Sequence, residues 1–291
     1  MQLSFFLILF ILNFFFQPSS SFLNFLSQNS QYDASKAKEF WYFAVAAYCS
    51  QSNIQSWKVS TVSDLYPNVQ DITVFTNSSG DNLGYTAYEE TNNLIILSIR
   101  GSANIENWFE NLDAFKTTYD KCLGCYVHQG FYDAYNDLRE SILTSVETLY
   151  NKHTDAQFAV IGHSLGAAIA TFAFVDLYEI IGRIDYFYTF GSPRVGNQNF
   201  ANYLNSKTYF GNGFKARITH HRDPVPHLPL ESMDFLHIDT EIFYVEDSSS
   251  YTICNSGEDP KCANQFSIIE PEISDHLDYM AFSQPDFKAN C

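Results

Sequence analysis

The chain has 291 residues, 46% hydrophobic and 17% charged, which supplies one sizeable core and excludes a disordered chain. Its net charge of −17 repels phosphates, so nucleic acid is not an expected partner, and anionic lipid headgroups would add little. Any membrane contact must then be apolar.

Residues 3–16 are almost wholly apolar and are followed by Gln17-Pro18-Ser19-Ser20-Ser21. The run is shorter than the ~20 residues that span a bilayer and suits the core of a secretory signal peptide. Residues 1–21 are read as that peptide, with an approximate cut site, and 22–291 as a single domain of a secreted protein. No Lys or Arg precedes the apolar run, which departs from the usual pattern and leaves an uncleaved anchor as the alternative. Export agrees with the six cysteines, an even count that suggests three disulfides. Local spacing favours Cys122–Cys125 and Cys254–Cys262, leaving Cys49 with Cys291. The other readings of Cys122-x-x-Cys125, a redox pair or half a zinc site, lack a βαβ frame and a second C-x-x-C.

Residues 33–49 have the spacing of an amphipathic helix, with Ala34, Ala37, Trp41, Val45 and Tyr48 on one face. Residues 71–76 and 83–88 read as a hairpin whose turn carries Asn77-Ser78-Ser79, an N-glycosylation sequon. A buried-looking run, Leu94 to Ile99, stops abruptly at Arg100-Gly101-Ser102. Residues 130–151 form a long helical pattern. Segments 158–161, 185–190, 214–220 and 235–245 read as strands, and 167–178 as a helix. Strands alternating with helices predict an α/β fold with a mostly parallel central sheet and helices on both faces.

Between the strand ending at Ile161 and the helix starting at Ala167 lies Gly162-His163-Ser164-Leu165-Gly166. A bare G-x-S-x-G match is often just a loop, but between a strand and a helix it is the turn that exposes a nucleophilic serine. The flanking glycines remove side chains that would collide in so tight a bend. Leu165 opens the helix, so its N–H is unpaired, near the positive end of the dipole, and able to hold an oxyanion.

A serine needs a base, and the base needs an orienting carboxylate. On such a sheet they follow in the order Ser, Asp or Glu, His. Asp223 comes just after the strand ending near His220, in a loop stiffened by Pro224 and Pro226. Its competitors are Asp185, which precedes its strand, Asp239, which sits inside a strand pattern, and Asp234. His276 is the one histidine beyond residue 237. His163 adjoins the serine, but neighbouring side chains point apart, so it is assigned to packing behind the turn. His227 and His237 remain alternative bases. Ser102 follows Gly101 at an earlier strand end and can offer both N–H and O–H as a second oxyanion donor. Ile105, Trp108, Phe109 and Leu112 then fall on one helical face. They are either the core-facing stripe of a surface helix or a lid that covers the serine in water and turns toward a lipid surface.

These motifs resemble the class 3 lipases, the filamentous-fungal-type triacylglycerol lipases of the α/β-hydrolase fold. The resemblance runs from about Trp41 to Cys291. It rests on Ile99-Arg100-Gly101-Ser102 with Asn107-Trp108, on Cys122-Leu123-Gly124-Cys125-Tyr126-Val127-His128-Gln129-Gly130-Phe131, and on Ile161 to Gly166. It continues through Thr189-Phe190-Gly191-Ser192-Pro193-Arg194-Val195-Gly196, Asp223-Pro224-Val225-Pro226-His227-Leu228-Pro229, Tyr251-Thr252-Ile253-Cys254, Asp259-Pro260-Lys261-Cys262 and Asp275-His276-Leu277. The resemblance implies a triad of Ser164, Asp223 and His276, oxyanion donors Ser102 and Leu165, and a lid near residues 103–112. It also supports the three disulfides, and it implies no metal or organic cofactor. Ala167 stands where the family often has Gly. The family spans triacylglycerol lipases, phospholipases and feruloyl esterases, so the scaffold alone does not set the substrate. The apolar pattern around Trp108 looks more like the lipases. The expected function is a secreted ester hydrolase working on acylglycerols through an acyl-enzyme, with transient apolar contact to a lipid surface. The alternatives are a phospholipase A1, a feruloyl-type esterase, and a catalytically silent lipid-binding protein.

Overall fold

Asp33 starts the first helix of the described residues, α1 (Ala34–Ala46), by accepting hydrogen bonds from the Ser35 and Lys36 N–H groups. The structure, a computed structural model, describes residues 32–207, 213–267 and 272–291; the expected signal peptide, 1–21, lies outside them. Two short helices, α2 (Gln51–Gln55) and α3 (Thr61–Leu65), lead to strands β1 (Val69–Thr76), β2 (Leu83–Glu89) and β3 (Leu94–Ile99). Helix α4 (Ile105–Asn111) and the small hairpin of β4 (Lys116–Thr118) and β5 (Tyr126–His128) precede the long α5 (Gln129–Lys152). Then come β6 (Gln157–His163), α6 (Leu165–Ile181), β7 (Tyr186–Phe190), α7 (Gln198–Asn205) and β8 (Phe214–His220). The chain closes with β9 (Glu241–Tyr244), β10 (Tyr251–Cys254), α8 (Ile273–Leu277), the short pair β11 (Asp278–Tyr279) and β12 (Phe282–Ser283), and α9 (Gln284–Lys288).

The central sheet runs β1-β2-β3-β6-β7-β8-β9-β10. It is parallel from β3 through β9 and antiparallel at both margins. Strands covered on both faces become continuous apolar runs, and every residue of β3 is buried. Alternation along those runs feeds two cores. Leu94, Ile96, Ala159, Ile161, Tyr188 and Phe190 pack on one face with Phe40, Trp41 and Phe43 of α1. Ile95, Leu97, Phe158, Val160 and Phe187 pack on the other with Tyr135 and Leu138 of α5 and Phe172 of α6. The sheet is thus sandwiched, and β6, which leads to the serine turn, is held at its centre.

The chain forms the disulfides Cys49–Cys291, Cys122–Cys125 and Cys254–Cys262. The first pins the C-terminus beside the residues after α1, where Asn53 Nδ2 also donates to the Cys291 carbonyl at 2.6 Å.

One expected strand is shorter than its pattern. Within 235–245 only Glu241–Tyr244 joins the sheet. Upstream, Leu236 makes an isolated bridge to Gly196, and the Ile238 carbonyl accepts from Arg217 Nε at 3.0 Å. Phe235 and Ile238 are buried there, so the apolar alternation marks a packed loop whose backbone serves Arg217 rather than a ladder. The edge strand β10 escapes pattern reading for the opposite reason: three of its four residues are exposed.

Candidate active site

The turn from β6 into α6 holds Ser164 at φ 59°, ψ −132°, a conformation non-glycine residues rarely adopt. It closes only because both flanking residues lack side chains. A Cβ on Gly162 would strike the Gly166 backbone, and one on Gly166 would strike the Ile99 carbonyl. Ser164 lines a cavity of about 460 Å³ together with Tyr48, Ser102, Ile105, His276 and Lys288.

Asp223 lies three residues beyond the end of β8, and His276 is in α8. His276 Nδ1 is 2.9 Å from Asp223 Oδ2 and 3.0 Å from Oδ1, with both side chains fully buried. The Tyr279 hydroxyl donates to Asp223 Oδ2 at 2.5 Å, and the Val225 N–H donates to Oδ1 at 2.8 Å. Burial opposes charge on Asp223. His276 and these hydrogen bonds outweigh it and hold the carboxyl below its ordinary value. An ionised carboxylate only accepts, so His276 Nδ1 carries the proton and Nε2 keeps the basic lone pair. Among the described residues, Ser164 Oγ and His276 Nε2 are buried atoms without a hydrogen-bond partner, and both residues line the cavity. Buried polar atoms are normally paired, so two left free on one cavity wall, a hydroxyl donor and an imidazole acceptor, make this the candidate reaction centre.

None of the competing residues lines the cavity. Asp185 accepts the Phe158 N–H at 3.0 Å and pairs with Arg183, Asp234 pairs with Lys116 at 2.9 Å, and the Asp239 N–H donates to Asn205. His237 Nε2 donates to the Pro226 carbonyl at 2.7 Å, and neither His227 nor His237 lines the cavity. Burial lowers the basicity of both.

Gly101 seats the Ser102 loop against the serine turn: a Cβ on Gly101 would lie 2.6 Å from the Ser164 Cβ. The Ser102 hydroxyl donates to the Asn104 carbonyl at 3.1 Å and accepts the Asn104 N–H at 3.3 Å. Leu165 occupies the first position of α6, where N–H groups have no intrahelical acceptor. Helix α4 starts where Asn104 Oδ1 accepts the Asn107 N–H at 3.0 Å, and none of its residues is buried. Ile105 lines the cavity, while Trp108 and Leu112 rest half-buried on the core beneath α5. The Trp108 ring stacks on Phe131 at 6.2 Å, and Phe109 is half-buried.

Pattern reading does not single out Tyr279, the tight donor to Asp223, or α9, whose Gln284, Pro285 and Lys288 wall the cavity. Nothing in local spacing marks them, because they reach the site through the turn of β11 and β12 and the Cys49–Cys291 link. Asn77 sits in the β1–β2 turn, where its Oδ1 accepts the Asn82 N–H at 3.1 Å. Among the described residues, no group of three or more His, Cys, Asp and Glu is arranged to hold a metal ion, and no helix is long and apolar enough to cross a membrane.

A parallel-centred sheet covered by helices on both faces, with a strained serine turn at the end of its middle strand, is the α/β-hydrolase architecture. Within that class, residues 96–233 match the family described as Lipase (class 3). The chain is 35% identical over 214 residues to the secreted mono- and diacylglycerol lipase 1 of Fusarium solani, covering 72% of this chain and 63% of that protein. It is 35% identical over 176 residues to the secreted mono- and diacylglycerol lipase A of Penicillium cyclopium, covering 60% of this chain and 56% of that one. The chain therefore spans somewhat over half the length of these curated relatives. The crystal structure of a lipase from Rhizopus microsporus var. chinensis superposes with a TM-score of 0.77 at 29% identity, covering 88% of this chain and 91% of that one. The chain belongs to the class 3 lipases.

Proposed function

We propose that this protein is a secreted carboxylic-ester hydrolase that cleaves acylglycerols at lipid interfaces. One observation carries the reading: Ser164 Oγ and His276 Nε2, free of other partners, line one cavity with His276 held on an ionised Asp223. His276 takes the Ser164 proton as the oxygen attacks the ester carbonyl, and the Leu165 N–H and Ser102 hold the oxyanion. Ser102 must first turn its hydroxyl from Asn104. The proton on His276 then leaves with the alcohol, and water attacks the acyl-enzyme by the same route, returning Ser164 and releasing the acid. Asp223 stabilises the imidazolium throughout.

The names of the relatives favour glycerides, and α4 favours an interface. An ordinary surface helix buries its apolar stripe, whereas Ile105, Trp108, Phe109 and Leu112 are all only half-buried, Ile105 at the cavity and Trp108 and Leu112 against the core. Secretion is supported by residues 1–21 and by the pairing of all six cysteines. A glycan on Asn77 would sit in a hairpin turn, where exposure suits it.

The test is a hydrolysis profile over chain length, below and above substrate solubility, with Ser164→Ala and fluorophosphonate labelling in parallel. We expect labelling of Ser164, loss of kcat on the order of 10⁴ or more in Ser164→Ala, and a rate jump when emulsified glyceride appears. Unchanged hydrolysis by Ser164→Ala overturns the enzyme assignment. Absence of labelling and turnover leaves a lipid-binding protein. One observation favours a second reading, a phospholipase A1: among the described residues, Lys288 is the one Lys or Arg that lines the cavity. A phosphate diester beside the scissile ester would be drawn to it, so faster turnover of phosphatidylglycerol than of diacylglycerol would favour that reading.

A further inference from the structure

We infer that Tyr48 and His163 are positioning residues that tie the oxyanion loop to the base through one buried chain of hydrogen bonds. The inference rests on the assignment of Ser164, His276 and Ser102 given above.

The Gly101 N–H donates to the Tyr48 oxygen at 3.0 Å. Tyr48 Oη lies 2.6 Å from His163 Nδ1, and His163 Nε2 lies 2.8 Å from the His276 carbonyl oxygen. Donor and acceptor counting leaves one consistent arrangement. A carbonyl can only accept, so the proton of His163 sits on Nε2 and is donated to His276. Nδ1 is then an acceptor and takes the single O–H of Tyr48, whose oxygen accepts from Gly101. The ends of this tie are the residue before Ser102 and the backbone of the catalytic base.

A doubly protonated His163 would turn Nδ1 into a donor and leave the Tyr48 hydroxyl proton without its acceptor. Burial, together with the charge His276 acquires, lowers His163 to about 3. Burial likewise raises the Tyr48 phenol above its ordinary value. Both therefore stay neutral near pH 7, and the direction of the tie is set. The rings add to it: His163 stacks on His276 with centroids 4.6 Å apart and meets Trp41 edge-on at 5.1 Å. A neutral imidazole against His276 matters because His276 becomes cationic in the reaction, and a second cation there would oppose it. Thus Asp223 fixes the His276 ring from one side, while His163 fixes its backbone and packs on its face.

Loop seating depends on the same oxygen. A Cβ on Gly101 would lie 2.5 Å from Tyr48 Oη and 2.8 Å from the His163 carbonyl, so the backbone at Gly101 rests directly on the two residues of the tie. Losing the Tyr48 hydroxyl unpairs Gly101 at one end and frees His163 to change tautomer at the other. Movement of either end misplaces a group that acts only in the transition state, which affects kcat more than substrate binding.

The experiment measures kcat and KM on a soluble short-chain ester, per active site titrated with a fluorophosphonate, for Tyr48→Phe, His163→Gln, His163→Leu and Tyr48→Phe with His163→Leu. Titration counts only folded, competent sites, so simple instability does not enter. The expected result is a fall in kcat on the order of 10- to 100-fold for Tyr48→Phe and His163→Leu with KM within about twofold. His163→Gln, which keeps an N–H donor near the position of Nε2, should recover part of that loss. Because the tie is one chain, the double variant should lose no more than about the worse single one. A Tyr48→Phe enzyme with kcat within about twofold of the wild type, or losses that multiply in the double variant, overturns the tie. Those outcomes differ from failure of the underlying assignment, which appears as full activity in Ser164→Ala.

Discussion

The cavity has two walls of opposite character. On the wall of the proposed triad, here the catalytic wall, Ser164, Asp223 and His276 are 1%, 1% and 0% exposed, and hydrogen bonds from Tyr279, Val225 and His163 hold Asp223 and His276. On the α4 wall no helix residue is buried, and the hydrogen bonds of 102–111 among the described residues stay within the segment: Ser102 with Asn104, Asn104 with Asn107 and Trp108, Asn107 with Asn111. The difference is mechanical. A segment whose polar groups satisfy one another can leave the body by giving up only apolar contact, which a lipid surface can replace. The catalytic wall cannot shift without stranding buried polar groups.

The first way to break this contrast is Asp223→Asn. Removing the charge that holds the His276 tautomer should lower kcat by about 10⁴ on a soluble ester, measured per titrated site. A loss below tenfold would mean that Asp223 does not orient the base. Next is Cys291→Ser, which frees the C-terminal wall from Cys49 across a sequence separation of 242. It should cost about 2–5 kcal/mol of stability by denaturant unfolding; a negligible change would show that α9 is held without the link.

Acid should weaken the wall of Ser164, Asp223 and His276 before it affects α4. His163 titrates near 3 when folded, against an ordinary value near 6.5 in the unfolded chain. Between those limits the unfolded state binds a proton the native state refuses, so stability falls as pH drops from about 6.5 toward 3, by up to about 1.4 kcal/mol per unit. Asp223, with its lowered carboxyl, adds a loss of the same sign as pH falls below the ordinary carboxylate range. Urea titrations from pH 7 to 4 should show this slope, and His163→Gln should flatten it. The smallest effect belongs to α4. Trp108→Ala should change stability by about 1 kcal/mol or less, since the side chain is only half-buried. It should alter turnover of emulsified glyceride several-fold while leaving a soluble ester within about twofold. Equal effects on both substrates would place α4 with the rigid body.

What could be read from the chain was local or ordinal. The pattern of Gly162, Ser164 and Gly166 between an apolar strand and a helix needs no tertiary information, because only a side-chain-free bend fits there. The order Ser164, Asp223, His276 and the strand periods were legible for the same reason: sheet connections constrain sequence order, and side chains alternate along a strand. The close cysteine pairs were also within reach of spacing. The structure alone decided what depends on chain segments far apart. It placed Lys288 at the cavity, Tyr279 on Asp223, and Tyr48 on Gly101 and His163, the last three contacts joining residues 56, 53 and 115 positions apart. It also turned 235–240 from an expected strand into a loop around Arg217, because a buried guanidinium needs backbone acceptors more than that segment needs a ladder. Hydrophobic periodicity reports burial, and it does not report which hydrogen bonds the buried backbone will make.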